Sequence, residues 1–134
     1  MKRKVITTIC VIPSALFLFL IGIVHSIVNF SGLRRALARG EIAARLGDGV
    51  LFNAVFSGLF ISLLGLVVLL LLRGLRAGSR QACRAAAAIG IFMGILGVVG
   101  YIRVPTKPLI LISLFLGVLL AVPILIWRRE LTNP

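Results

Sequence analysis

Residues 49–72 read GVLFNAVFSGLFISLLGLVVLLLL, between Asp48 and Arg73. The stretch is uncharged, and its hydrophilic members are Asn53, Ser57 and Ser62. About 20 mostly apolar residues in helical form cross the hydrocarbon of a bilayer. Every backbone N–H placed there needs a partner within the protein, so a spanning segment is either a helix or a strand of a closed barrel. The stretch lacks the period-two alternation of a barrel strand, so it reads as a membrane-spanning helix.

Three further stretches read the same way. They are Val5 to Phe30, with His25 and Asn29 as its strongly polar members, Ala85 to Ile102, and Leu109 to Trp127. Composition agrees. Hydrophobic residues make up 60% of the 134, charged residues 13%, and mean hydropathy is +1.18. A soluble domain has about 45–50% apolar and about 25% charged residues. The sequence therefore predicts an all-α integral membrane protein. Its expected architecture is a four-transmembrane-helix bundle forming one domain over residues 1–134, with spans at about 5–30, 49–72, 85–102 and 109–127.

Local signals punctuate these spans. Gly32 is placed to stop the first helix. Asp48, Ser79 and Thr106 are placed to cap the next three, with Pro108 in the first turn of the last. Pro13 and Pro123 lie inside spans and should kink them. Between the first two spans, Leu33, Leu37, Ala44 and Leu46 alternate with arginines at partly helical spacing, and Glu41 and Arg45 stand four apart. This predicts a short interfacial helix in the first loop, weakened by Gly40.

The net charge is +12, from 15 Lys and Arg against three acids. The basic residues lie at or outside the edges of the apolar runs, and no basic stripe interleaves with aromatics. That pattern argues for a bilayer with anionic headgroups as partner, and against nucleic acid. Lys2, Arg3, Lys4, Arg73, Arg76, Arg80, Arg84, Arg128 and Arg129 fall on one side. The smaller set of Arg34, Arg35, Arg39, Arg45, Arg103 and Lys107 falls on the other. The positive-inside rule then puts both termini in the cytoplasm. The bias of arginine over lysine points to a bacterial source, and hence to the inner membrane. The basic start followed by an apolar run imitates a signal peptide, but the run outlasts a typical signal core, so an uncleaved first span is expected.

No chemistry-bearing constellation stands out. Cys10 and Cys83 form no metal-ligand spacing, His25 lacks a second ligand, and no paired acids or Ser/His/Asp order exists. No catalytic residue, metal or cofactor is expected. What remains is of two kinds. Small residues recur at helical spacing: Ala86, Gly90, Gly94 and Gly97 in the third span, Ser113, Gly117 and Ala121 in the fourth, and Gly58, Ser62 and Gly65 in the second. Such stripes allow close backbone approach, either within one bundle or between copies. The second kind is polar. His25 is the one imidazole within a span, and Asn29 lies one turn on. Asn53 and Ser57 form a matching pair in the second span. With Asp48, Tyr101 and Arg103 at the expected outer rim, these residues could line a polar pocket, or His25, Asn29 and Asn53 could simply fasten helices together.

The functional expectation is an oligomeric or accessory membrane subunit without chemistry of its own. The alternative is a small transporter, or a lipid- or solute-binding protein using the His25 pocket. The orientation is testable with single cysteines at Arg39 and at Gly78 and an impermeant thiol reagent on intact cells. Position 39 should label and position 78 should stay protected; the opposite pattern reverses the topology.

Overall fold

The computed structural model of the chain describes residues 5–103 and 110–132. Of these residues 93% are helical, and none is in a strand. The elements are α1 (Thr7–Ala38), α2 (Ala44–Ala77), α3 (Arg80–Arg103), α4 (Ile110–Ile126) and a short α5 (Arg128–Thr132). Helices α1, α2 and α3 are long and apolar enough to cross a membrane. Helix α4 has 17 residues, at the lower end of the spanning range of about 17–25. The all-α reading with four apolar helices holds. Large side chains such as Leu70, Phe52 and Ile102 stand about 70% exposed, as lipid-facing residues do.

The first two helices are longer than the apolar runs that define them. At about 1.5 Å per residue, the 32 residues of α1 and 34 of α2 exceed the hydrocarbon thickness of about 30 Å. The segment expected to hold a separate interfacial helix is helical at both ends, but as continuations of α1 and α2. Residues 39–43 make the turn. Gly32 does not stop α1, because a lone glycine inside a helix is destabilising by only about 1 kcal/mol. The stop is Gly40, whose φ of 73° fits a left-handed helix cap. Its N–H donates to Leu37 O, and Glu41 N–H donates to Ala36 O, which is the Schellman pattern. With residue 41 in that turn, Glu41 pairs with Arg39 at 2.7 Å rather than with Arg45. Both side chains are exposed, so the pair contributes little.

The same device ends α2. Gly78 has φ 80°, Gly78 N–H donates to Leu75 O, and Ser79 N–H donates to Gly74 O. Ser79 then caps α3 as expected, its Oγ accepting the Ala82 N–H at 3.3 Å. Asp48 lies inside α2, which begins at Ala44. Thr106, Lys107 and Pro108 lie outside the described residues, as do Lys2, Arg3 and Lys4.

Pro13 shapes the start of α1. Proline has no N–H to give and its ring crowds the preceding turn. Here residues Thr7–Val11 widen into a π-helical turn, with Ile12 N–H bonding to Thr7 O. Ser14 Oγ donates to Cys10 O at 2.7 Å beside the break. Pro123, inside α4, is buried.

The chain divides into two compact units, Phe17–Leu66 and Met1–Leu16 with Val67–Pro134. The larger unit has a core of Val11, Ala15, Val68, Leu75, Ala86, Leu120 and Ile124, among others. Within it α3 and α4 run antiparallel in backbone contact. A methyl group added at Gly90 would lie 2.9 Å from Ala121 Cβ, and one at Gly97 would lie 2.7 Å from Leu114 Cβ. At Gly117 it would meet Gly90 O at 2.5 Å and the backbone of Gly94. Gly94 differs: its own missing side chain points into open space, although its backbone is what Gly117 approaches. Ser113 is half-buried on the same helix as Gly117 and Ala121.

The glycines of one stripe therefore respond differently to substitution. Gly97→Ala and Gly117→Ala should each lower stability by about 1–3 kcal/mol, the range for forced overpacking. Gly94→Ala should be neutral or should raise stability by up to about 1 kcal/mol through helix propensity. Denaturation in mixed micelles measures all three. Equal losses for the three would mean that the α3–α4 contact runs along another face.

Candidate functional site

The smaller unit, Phe17–Leu66, is an antiparallel hairpin of the later part of α1 and the first part of α2. Its seam is made of very small residues. Gly22 faces Ser62 and Gly58 O, the latter 2.5 Å from where a Cβ would sit. Gly58 faces Ser26 and Gly22 O in the same way, again at 2.5 Å. Each serine spans the seam by donating to a carbonyl of the other helix, Ser26 Oγ to Val55 O at 3.0 Å and Ser62 Oγ to Phe19 O at 2.9 Å. Phe19, Gly22 and Ser26 thus do on α1 what Val55, Gly58 and Ser62 do on α2. The contact has local two-fold pseudosymmetry about an axis through the seam.

These bonds are open because a carbonyl inside a helix has a second lone pair beyond the one used by its own ladder. A serine four residues from a glycine stands where the backbones are near enough for its short hydroxyl to reach across. Both serines are buried. The sequence signal was a shared G-x-x-x-S, GIVHS at 22–26 and GLFIS at 58–62. Gly58 and Ser62 were singled out from sequence, whereas Ser26 was missed.

The polar residues expected to form a pocket take other partners. Asn29 Nδ2 lies 2.7 Å from His25 Nε2. An amide nitrogen only donates, so Nε2 accepts and Nδ1 is left to carry the ring proton. Ser57 Oγ donates to Ala54 O of its own helix at 3.1 Å. No hydrogen bond joins His25 or Asn29 to Asn53 or Ser57 among the described residues. Fastening of the hairpin falls instead to Ser26 and Ser62.

His25, Asn29 and Ser57 nevertheless lie to one side of the hairpin seam, whereas Asn53, about 140° from Gly58 and about 180° from Ser62, points away from α1. Each residue advances about 100° around a helix. His25 lies roughly 60–100° from the Gly22–Ser26 seam, and Ser57 about 100° from the seam position Gly58, with the same sense of rotation. In an antiparallel pair equal senses of rotation fall on the same side. The pairing of Phe19 with Ser62 and of Ser26 with Val55 also sets the depths, so His25 lies nearly level with Ser57 and Asn29 nearly level with Asn53. His25 and Asn53 are exposed; Asn29 and Ser57 are half-buried. Asp48 is exposed on the opposite side of α2. Tyr101 and Arg103 are exposed at the end of α3, in the larger unit. Among the described residues no three of His, Cys, Asp and Glu cluster in a way that could hold a metal ion.

No family model matches the chain, and no curated protein or solved structure is significantly similar to it.

Two classes of variant separate the parts of this seam. Ser26→Ala and Ser62→Ala each remove one inter-helix hydrogen bond and should lower stability by about 0.6 kcal/mol. Gly22→Val and Gly58→Val force the backbones apart and should each lower it by more, about 1–3 kcal/mol. Unfolding free energies in micelles give the comparison. Serine variants as damaging as the glycine variants would show that the hydroxyls, rather than the close approach, hold the hairpin.

Proposed function

We propose that the chain is an oligomeric or accessory subunit of a bacterial inner membrane, with both termini in the cytoplasm, and that it associates through the polar side of the Phe17–Leu66 hairpin. The observation that carries this reading is the exposed His25–Asn29 pair on a helix long and apolar enough to cross a membrane. Leaving a polar group unpaired in hydrocarbon costs roughly 2–7 kcal/mol. Ionisable residues within spans accordingly face protein or a water-filled cavity rather than lipid. Asn29 takes up one nitrogen of the ring. The Nδ1–H calls for a further acceptor. A second copy or another membrane protein presenting a carbonyl or amide at that depth meets this need. The basic-residue asymmetry of the loops supports the orientation.

His25→Leu tests the proposal. The side chain is exposed, so the isolated chain should melt within about 0.5 kcal/mol of the wild type. The oligomer, or the partner that co-purifies in mild detergent, should be lost, as read by native mass spectrometry. An assembly unchanged in the variant would sink the reading. A monomer in both proteins, with a small polar solute retained by the wild type alone, would favour the transporter or solute-binding alternative.

A further inference from the structure

In the larger unit, a groove of about 210 Å³ runs along the α3–α4 surface. Arg84, Ala87, Ala88 and Ile91 line it from α3, and Ile124 and Leu125 line it from α4. The arrangement is graded. Arg84 stands at one end, and the residues three, four and seven positions further along α3 are apolar. They extend the wall about 10 Å from the charge toward the middle of the helix. Beyond Arg84 the groove is walled by aliphatic carbon and by Cys83. Alanines at 87 and 88 leave the space that larger side chains would fill.

No acidic residue pairs with this charge among the described residues. Arg84 is exposed. Arg73, Arg76 and Arg80, near the turn that joins α2 to α3, are exposed as well. Arg84 also lies about one turn inside the N-terminus of α3, where the helix dipole adds to the attraction for an anion. A cation at the rim of a span, opening onto an apolar trough directed toward the hydrocarbon, matches a molecule with an anion at one end and an alkyl chain at the other.

We propose that this groove seats one anionic phospholipid of the bilayer, with the phosphate on Arg84 and one acyl chain along Ala87, Ala88, Ile91, Ile124 and Leu125. The occupant is fixed by charge complementarity. A second copy of the chain would bring more arginine to an end that already carries an excess, whereas an anionic headgroup neutralises it. The volume suits a segment of one acyl chain, with the rest of the lipid lying in the bilayer. The site is distinct from the polar side of the hairpin and does not depend on how that side is used.

Native mass spectrometry of the full chain decides the matter, after incubation in mild detergent with phosphatidylglycerol or with phosphatidylcholine. The wild type should retain one phosphatidylglycerol about fivefold more strongly than phosphatidylcholine, the worth of one arginine at a membrane surface. Arg84→Gln should abolish that preference, while Arg73→Gln, outside the groove, should keep it. Ala88→Trp fills the trough from an exposed position and should remove retention of both lipids, with helix content and melting temperature unchanged by circular dichroism. Equal preference in the wild type and Arg84→Gln, or equal loss in Arg84→Gln and Arg73→Gln, would overturn the site. So would a lipid-free dimer that Ala88→Trp dissociates, since the groove would then be a contact between copies. Should Ala88→Trp fail to fold, the comparison of the two arginine variants still decides.

Discussion

Helices in a bilayer draw no net benefit from burying leucine against leucine, because lipid is equally apolar. Whatever holds them together must come from contacts that lipid cannot make. In this chain those contacts are backbone against backbone. Gly22 and Gly58 approach each other's carbonyls in one unit, and Gly90, Gly97 and Gly117 meet the facing helix in the other. Without the glycines, the short hydroxyls of Ser26 and Ser62 could not reach the carbonyls opposite. The hydrogen bonds are thus a consequence of close approach.

That dependence explains the local two-fold pattern of the hairpin. An antiparallel pair crossing at a glycine on each helix brings each helix's next-turn residue to the other's preceding turn. A serine four residues after each glycine then lies beside a carbonyl three residues before the other. Ser26 with Val55 and Ser62 with Phe19 follow from one geometry applied twice.

Much of this was legible in the sequence, and what was not has physical reasons. Four apolar runs gave four apolar helices, because lipid leaves the backbone no other partner over such lengths. Ser79 as a cap was legible because its N-cap role depends on local spacing alone. The helix ends around the first turn were not, because hydrophobicity marks where lipid ends and not where a helix ends. Arginine-rich segments extend helices readily, so α1 ran through Gly32 to the glycine at position 40, where the chain reverses. The small-residue stripe in the third span was found as a set, yet spacing alone could not say that the side of Gly94 where a side chain would stand faces open space while its neighbours face α4. The polar residues were expected to meet in one pocket, yet Ser57 bonds within its own helix, His25 bonds to Asn29, and Asn53 points away from α1. Their directions lie well off the seam, and reach is set by direction as much as by depth.

Exposure carries opposite information in the two solvents a protein can meet. In water an exposed leucine means little and an exposed arginine nothing. On a helix within a bilayer an exposed leucine is the ground state, and an exposed imidazole or guanidinium asks for a partner. By that criterion most of the exposed residues of this chain are silent, Leu70 and Phe52 among them. His25 and Arg84 are not. They call for different partners because their surroundings differ. His25 has one nitrogen already taken by Asn29, and on the reading proposed above its other nitrogen meets a hydrogen-bond acceptor of fixed geometry from a protein partner. Arg84 sits at the end of an apolar trough near other arginines, and the proposed occupant answers both features with a mobile negative charge attached to hydrocarbon.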